Sequence, residues 1–307
     1  MQTTHIISRT FDDEIGMRAG ARNWSYGTFY ILSPDATEGE RRAAVLPHMQ
    51  LSFTDSNGGL LRTVTSPPGT VSVAAVLENE GKACFGNTKF SAGDVIIFGD
   101  TRHRLFFASG RHRIAIVSFA KTRFRKLAKL YGAYDDHIIE HAAEPLGELL
   151  YDVFDACSDN PEYCHDKIFI RSKEERLLES LETLIEQKAP YFPRLTKGEK
   201  IALEIRDRVY EHIEPDIAIN NFAKEYGVTE QTLQNAFKSL FGMTPHKFLR
   251  NLKLNHVRKE LLLADPDTTT VVAVANKWGF THMGHFSGYY TRLFGENPSV
   301  TLQRGKD

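Results

Sequence analysis

Cysteine is nearly missing from this sequence. Cys84, Cys157 and Cys164 are all it has in 307 residues, an odd number and too few for the disulfide framework of a small secreted domain. Their spacing does not suit a metal site either. No apolar run approaches the ~20 residues that a membrane-spanning helix needs. The first residues, Met1-Gln-Thr-Thr-His5, lack the basic stretch and apolar core of a secretory signal. No His-x-His pair occurs anywhere. These absences lead us to expect a soluble, cytoplasmic protein with no membrane partner, no metal and no cofactor.

An excess of one charge is missing too. The net charge is −1, which excludes nothing. The order of the charges is more telling. Residues 101–130 carry nine basic side chains, Arg102, Arg104, Arg111, Arg113, Lys121, Arg123, Arg125, Lys126 and Lys129, and no acid. Residues 131–196 reverse this, with fifteen acids against six bases. Charge segregated in this way creates local fields. The length suits two domains, and 41% hydrophobic with 25% charged residues is an ordinary globular mixture.

What is present divides by periodicity. From Gly27 to Phe119, short apolar runs alternate with turn residues. Thr28–Leu32, Val71–Leu77, Val95–Phe98 and Ile114–Phe119 read as strands, punctuated by Ser56-Asn-Gly-Gly59, Pro67-Pro-Gly69, Gly86-Asn87 and Ala92-Gly-Asp94. Many short strands at this spacing suggest a sandwich or barrel. From Lys121 to Lys188 the period becomes helical. Arg171 to Lys188 aligns Leu177, Leu178, Leu181, Leu184 and Ile185 on one face, a stripe that suits either a core or a partner helix in a dimer. Ala189-Pro-Tyr-Phe-Pro193 reads as a linker, and the rest is helical. The expected domains are 1–188, a linker 189–196, and 197–307.

The last region contains a repeat. Phe237-Lys-Ser-Leu-Phe-Gly-Met-Thr-Pro245 aligns with Tyr290-Thr-Arg-Leu-Phe-Gly-Glu-Asn-Pro298, and Ala223-Lys-Glu-Tyr-Gly227 with Ala275-Asn-Lys-Trp-Gly279. The first offset is one residue larger than the second, so the second turn is one residue longer. Ala223 and Ala275 permit a close helix crossing. Gly227 and Gly279 sit where a turn needs positive φ. Val228 and Phe280 follow as wedges. Leu233 with Phe237, and Phe286 with Tyr290, send one face of each second helix inward. Each copy is therefore a helix-turn-helix, joined to the other by a helix from about His246 to Ala264. The outward residues are candidates for DNA contact: Thr229, Gln231, Thr232, Gln234, Asn235 and Lys238 in the first copy, and Thr281, His282, Met283, His285, Ser287 and Arg292 in the second. Glu230 suits a helix start, and His282 suits either a cap or DNA contact.

These motifs, from Phe222-Ala-Lys-Glu-Tyr-Gly227 to Phe286-Ser-Gly-Tyr-Tyr-Thr-Arg-Leu-Phe-Gly-Glu-Asn-Pro-Ser299, resemble the DNA-binding domain of the AraC/XylS family of bacterial transcription regulators. The resemblance covers about Ile201–Arg304 and implies two recognition helices in adjacent major-groove segments of promoter DNA, beside RNA polymerase. Gln231 and Asn235 stand where family members often carry Arg, and amides of this kind pair with adenine edges. Residues 197–307 carry fifteen Lys or Arg and thirteen Asp or Glu, a weakly basic balance that predicts modest affinity per monomer.

The resemblance also implies a cupin-like barrel that binds an effector and dimerises. The expected fold class is thus α+β, with a β-rich cupin-like N-terminal barrel and helices, then an all-α domain with two helix-turn-helix motifs. A metal-dependent cupin enzyme is the rival. It needs a His-x-His pair, which His48, His103 and His112 do not supply, so we expect no enzyme. The basic block admits three readings: a solvated surface neutralised by the acidic 131–196 segment, contact with DNA phosphates, or a pocket for an anionic effector. The third suits a phosphate-bearing metabolite or cyclic dinucleotide, held by Arg102, Arg104, Arg111, Arg113, Lys121, Arg123 and Arg125. Candidate pocket aromatics are Tyr26, Phe29, Tyr30, Phe53, Phe98, Phe106 and Phe107. The expected mechanism is a homodimer whose DNA-binding halves are repositioned by a small-molecule effector, with activation of transcription as the outcome.

Overall fold

The computed structural model describes residues 5–11, 29–34, 38–100, 103–123, 137–187 and 194–304. The chain divides into two compact units. One comprises Met1–Phe29, Thr37–Gly58 and Arg62–Pro193, and the other Tyr30–Ala36, Gly59–Leu61 and Arg194–Asp307. Residues 188–193, most of the expected linker, lie outside the described residues.

Among the described residues twelve strands run in chain order as β1 (His5–Phe11), β2 (Phe29–Ile31), β3 (Gly39–Val45), β4 (Met49–Ser56), β5 (Leu60–Val64), β6 (Thr70–Asn79), β7 (Ala83–Phe85), β8 (Thr88–Lys89), β9 (Val95–Gly99), β10 (Arg104–Ala108), β11 (His112–Ala120) and β12 (His137–Ile139). They form a seven-stranded sheet, β1-β3-β4-β11-β6-β9-β12, and a five-stranded sheet, β2-β5-β10-β7-β8. The recorded pairings are antiparallel, as in β11 with β4 and with β6, which suits short turns between neighbouring strands.

Successive side chains of a strand point to opposite faces, so register sorts the seven-stranded sheet into two. Ala44, Leu51, Phe53, Val71, Val73, Ala75, Val95, Ile97, Ala115, Val117 and Phe119 form one apolar face. It packs under helices α1 (Ala143–Asp159) and α2 (Lys167–Gln187). The opposite face carries Arg41, Ser52, Thr54, Ser56, His112, Ser72 and Ser118, all buried. Pairings such as Arg41↔Thr54, His112↔Ser56 and Ser118↔Ser72 keep them on that side. The two sheets meet there: the Phe98 ring lies 4.7 Å from Phe85, and the Ser66 hydroxyl donates to the Ser72 oxygen at 2.8 Å. Both faces are covered, which is why these strands lack a clean alternation of apolar and polar residues.

The stripe on α2 faces the core of its own unit. Leu177, Leu181 and Ile185 are buried there, with Leu178 and Leu184 packed at its edge. Partner-helix packing through this stripe is thus replaced by intramolecular packing. The expected helical run from Lys121 also needs correction. Residues 121–123 form a turn, 124–136 lie outside the described residues, and His137–Ile139 is a strand. Ile138 and Ile139, β-branched and buried, pair with Ile96 and Val95 because the sheet edge offers both a ladder and apolar cover.

The second unit contains α3 (Lys197–Glu211), α4 (Ile219–Glu225), α5 (Glu230–Phe241), α6 (Pro245–Leu263), α7 (Val271–Lys277), α8 (Met283–Phe294) and α9 (Pro298–Arg304). Thr196 and Glu199 close a capping box at the start of α3. Within this unit the Asn255 amide on α6 accepts from Ile31 N at 2.8 Å and donates to Ile31 O at 2.7 Å.

Candidate functional site

Each copy of the repeat is two helices and a turn. Four residues separate α4 from α5 and five separate α7 from α8, so the unequal offsets have a structural counterpart. Gly227 at φ 60° and Gly279 at φ 81° occupy the left-handed region in both turns. Val228 and Phe280 are half-buried rather than fully buried wedges. Phe280 nonetheless reaches the core, 5.2 Å from Phe286. Leu233, Phe237, Phe286 and Tyr290 are buried. They anchor α5 and α8 so that the remaining faces of those helices point outward.

The connector α6 holds the two lobes. On one side Phe248 lies 5.5 Å from Phe237 and 5.1 Å from Phe241. On the other, the Trp278 indole N–H at the end of α7 donates to Glu260 at 2.9 Å. The Tyr290 hydroxyl donates to Thr301 at 2.8 Å, tying α8 to α9.

On α5, Thr229 is the N-cap and accepts from Thr232 N at 3.1 Å. Its hydroxyl and that of Thr232 are therefore partly committed to the helix start. Gln231, Asn235 and Lys238 are exposed, and Gln234 is half-buried. The Gln231 amide donates to Asn235 Oδ1 at 2.8 Å. This leaves the Gln231 oxygen and the Asn235 amide nitrogen facing outward. On α8, Thr281, His282, His285 and Arg292 are exposed, while Met283 and Ser287 are half-buried. His282 holds the N-cap position without a side-chain cap bond. Its ring continues into a row with His285 and Tyr289, each step 6.3 Å between centroids.

Next to this row is a hollow of about 310 Å³ whose lining includes Lys247, Arg250, Tyr289 and Arg292. The Arg250 guanidinium lies 3.8 Å over the Tyr289 ring, a cation–π contact. Arg250 Nε is buried with no hydrogen-bond partner among the described residues. Sequence reasoning passed over Lys247 and Arg250 because they belong to the connector α6 and to neither helix of the second copy, where Tyr289 faces outward as expected. Only the fold brings them beside Arg292.

The exposed side of α8 also carries Gly284 and Gly288. A methyl group at either would meet nothing within 4 Å. Alanine in a helix interior is favoured over glycine by ~0.5–1 kcal/mol. Gly288→Ala should therefore raise the melting temperature of the full chain while weakening a DNA shift, because the added methyl lies on the outward face. Unchanged DNA affinity would remove this face from the contact surface.

The candidate effector residues separate in space. Arg102 and Arg125 lie outside the described residues. Arg111 and Arg113 project from the rim of β11. Arg111 is bidentate to Asp55, at 3.0 and 3.3 Å, and Arg113 meets Glu78 at 2.8 Å. Lys121 pairs with Asp100. Arg123 is bidentate to Glu174, which is fully buried, at 3.0 and 3.1 Å. Arg104 alone of the described set enters the interior between the sheets, where it is buried. Arg41 and Arg62, not singled out from the sequence, are buried there as well. Of the candidate aromatics, Phe98 and Phe106 join them, whereas Phe53 turns to the helices. Tyr26 and the side chain of Phe29 lie outside the described residues, Tyr30 belongs to the second unit, and Phe107 is buried on the opposite face of β10 from Phe106.

Burial pushes the His112 imidazole down from its usual 6.5 to about 4, helped by the nearby Arg62 charge. The unfolded chain therefore takes up this proton at higher pH than the folded one. The resulting stability is present above pH 6.5 and is lost as the pH falls towards about 4, by up to ~3 kcal/mol. Urea unfolding between pH 7 and 4 should show this slope, and His112→Gln should flatten it. No group of three or more His, Cys, Asp or Glu suited to a metal lies among the described residues. No helix among them is long and apolar enough to cross a membrane.

Comparison with known proteins places this geometry. Residues 222–304 match the family model described as a helix-turn-helix domain. The chain is 35% identical over 97 residues to a probable thc operon regulatory protein of Rhodococcus erythropolis, covering 32% of this chain and 29% of that protein. It is 29% identical over 111 residues to the XylDLEGF operon transcriptional activator of Pseudomonas putida, covering 36% of this chain and 35% of the other. The aligned part thus spans about a third of the length of these relatives. Among solved structures, a probable AraC family transcriptional regulator from Rhodopseudomonas palustris is 31% identical, covering 36% of this chain and 98% of that one, with a TM-score of 0.31. The AraC-like transcriptional activator CuxR is 10% identical, covering 83% of this chain and 96% of the other, with a TM-score of 0.45. The C-terminal unit is a double helix-turn-helix DNA-binding domain. Through it, about a third of the chain is similar to transcription regulators of the AraC/XylS type.

Proposed function

We propose that this protein is a ligand-responsive, sequence-specific regulator that binds promoter DNA, activates transcription beside RNA polymerase, and has no enzymatic activity. The observation that carries the reading is the pair of anchored helices, α5 and α8, held by one connector with their polar faces outward. Two recognition helices held by one connector suit successive major grooves, which lie about 34 Å apart. Gln231 and Asn235 supply amides of the kind that read adenine edges, and Lys238, Lys247, Arg250 and Arg292 supply charge for phosphates. The unit's weakly basic balance favours a homodimer on paired half-sites. A cupin-like N-terminal unit, comprising most of residues 1–188, senses a small anionic effector and biases that dimer.

An electrophoretic shift of the full chain with the DNA upstream of its own gene tests the reading. We expect binding at low salt that weakens as salt rises. Gln231→Ala and Asn235→Ala should each weaken specific binding by about tenfold, within the ~1–3 kcal/mol of a good amide–adenine pair. Absence of a shift at low salt, with candidate effectors added, would sink the proposal.

A further inference from the structure

Three cations converge on the hollow beside α8. Lys247 and Arg250 stand in the first two turns of α6, and Arg292 in the last turn of α8. No Asp or Glu is among the described residues that line it. None of the three side chains pairs with a carboxylate there. Arg250 is half-buried, and its guanidinium is held 3.8 Å over the Tyr289 ring. Its donors are uncommitted, the buried Nε among them. Donors withdrawn from water and left unmatched are costly, so the hollow favours an acceptor.

The rest of the lining is mainly apolar. Leu293 comes from α8, whereas Leu32 and Pro34 come from a segment far ahead of the repeat in sequence. That segment nonetheless belongs to the same compact unit. Asn251 pins it there. Its buried amide donates to Leu32 O at 2.9 Å, one turn before Asn255 pairs with Ile31. Cations beside apolar carbons match a sugar–phosphate, which joins an oxyanion to the C–H groups of a ring. A volume of about 310 Å³ has room for both parts.

We propose that this hollow seats one backbone phosphate of bound DNA on Lys247, Arg250 and Arg292, with its deoxyribose against Leu32, Pro34 and Leu293. A guanidinium offers planar donors that match two phosphate oxygens. Tyr289 is a positioning residue, because its ring fixes Arg250 before the phosphate arrives. The contact sets where α8 sits along the duplex and carries no sequence information of its own. The seat is composite. Part of its wall is residues 32–34, so the grip on DNA depends on a segment outside the helix-turn-helix repeat. This inference rests on reading α8 as a DNA-facing helix, and it names the phosphate contact that holds that helix in place.

The test is fluorescence anisotropy of the full chain with two labelled duplexes across a salt series. One duplex is the DNA upstream of its own gene, and the other is an unrelated sequence of equal length. Arg250→Met should weaken both complexes by about tenfold, the scale of a hydrogen bond to a charged group. It should also lower the slope of log affinity against log salt by about one. The preference between the duplexes should not change. Pro34→Glu places a carboxylate at an exposed position of the same wall and should weaken both complexes too, whereas Pro34→Gln should bind like the parent. This pair keeps the test open even if Arg250→Met folds poorly. Tyr289→Phe keeps the ring and should bind like the parent. Tyr289→Leu should weaken the parent and add nothing to Arg250→Met. A scan of single methylphosphonates should find one position where a neutral linkage weakens the parent and leaves Arg250→Met unaffected. Unchanged affinity or salt slope in Arg250→Met, Pro34→Glu that binds like Pro34→Gln, or a loss confined to one duplex would overturn the proposal. With a parent that binds DNA, those results defeat only the phosphate seat. A parent that binds neither duplex at low salt defeats the regulator reading as well.

Discussion

Phe248→Ala is expected to destabilise the second unit by ~3–5 kcal/mol, the usual cost of emptying an aromatic core position. Phe237, Phe241 and Phe248 are buried at 0% exposure, with ring centroids 5.1–5.5 Å apart. Phe248 comes from the connector α6 and the other two from the end of α5. Removing its ring leaves a cavity where one recognition helix meets the element that fixes its position. DNA binding should fall with stability, and at temperatures where the variant is still folded the residual binding should show reduced discrimination between sequences. Phe248→Leu keeps most of the apolar contact and should recover more than half of the loss. Urea unfolding followed by tryptophan fluorescence is a suitable readout, since Trp278 stacks on His256 of the same connector at 4.5 Å.

Arg123→Ala should be of similar size in the first unit, at ~3–5 kcal/mol, because it strips the partner from a buried carboxylate. Glu174 is fully buried on α2, and Arg123 answers it with two hydrogen bonds. Adding Glu174→Gln to Arg123→Ala removes the uncompensated charge and should restore much of the stability. If the single variant melts like the parent, the pair contributes little. A loss that the second substitution does not repair would mean that Arg123 stabilises by another route. The double-mutant cycle thus separates a structural arginine from one that contacts an effector.

The two regions differed in how much their sequence disclosed. The helix-turn-helix copies were readable because each structural demand falls on a fixed residue: a glycine in the turn, an alanine at the crossing, aromatic pairs four apart. The repeat supplied each demand twice. The β-rich unit was harder. Four strands were evident, but β4 and β6 bury both faces, so period-two patterning was blurred. The basic run from 101 to 130 misled for a related reason. A cluster in sequence is not a cluster in space, and Arg113 lies opposite both Asp55 and Glu78 across the sheet. The interior cations Arg41 and Arg62 were invisible because the strand register alone decides whether such an arginine points inward. Adjacent Arg42 takes the opposite side and lies 5.7 Å over Phe53.

If α5 and α8 both meet DNA as proposed, the two halves of the unit are different readers. One offers an amide pair, Gln231 with Asn235, and the other a row of rings, His282, His285 and Tyr289. A site read by unequal halves has a direction, as a sentence does. Turning that site end for end beside a promoter would present the opposite end of the protein to whatever lies downstream. The number of base pairs and their identity would be unchanged, and the consequence for transcription would not.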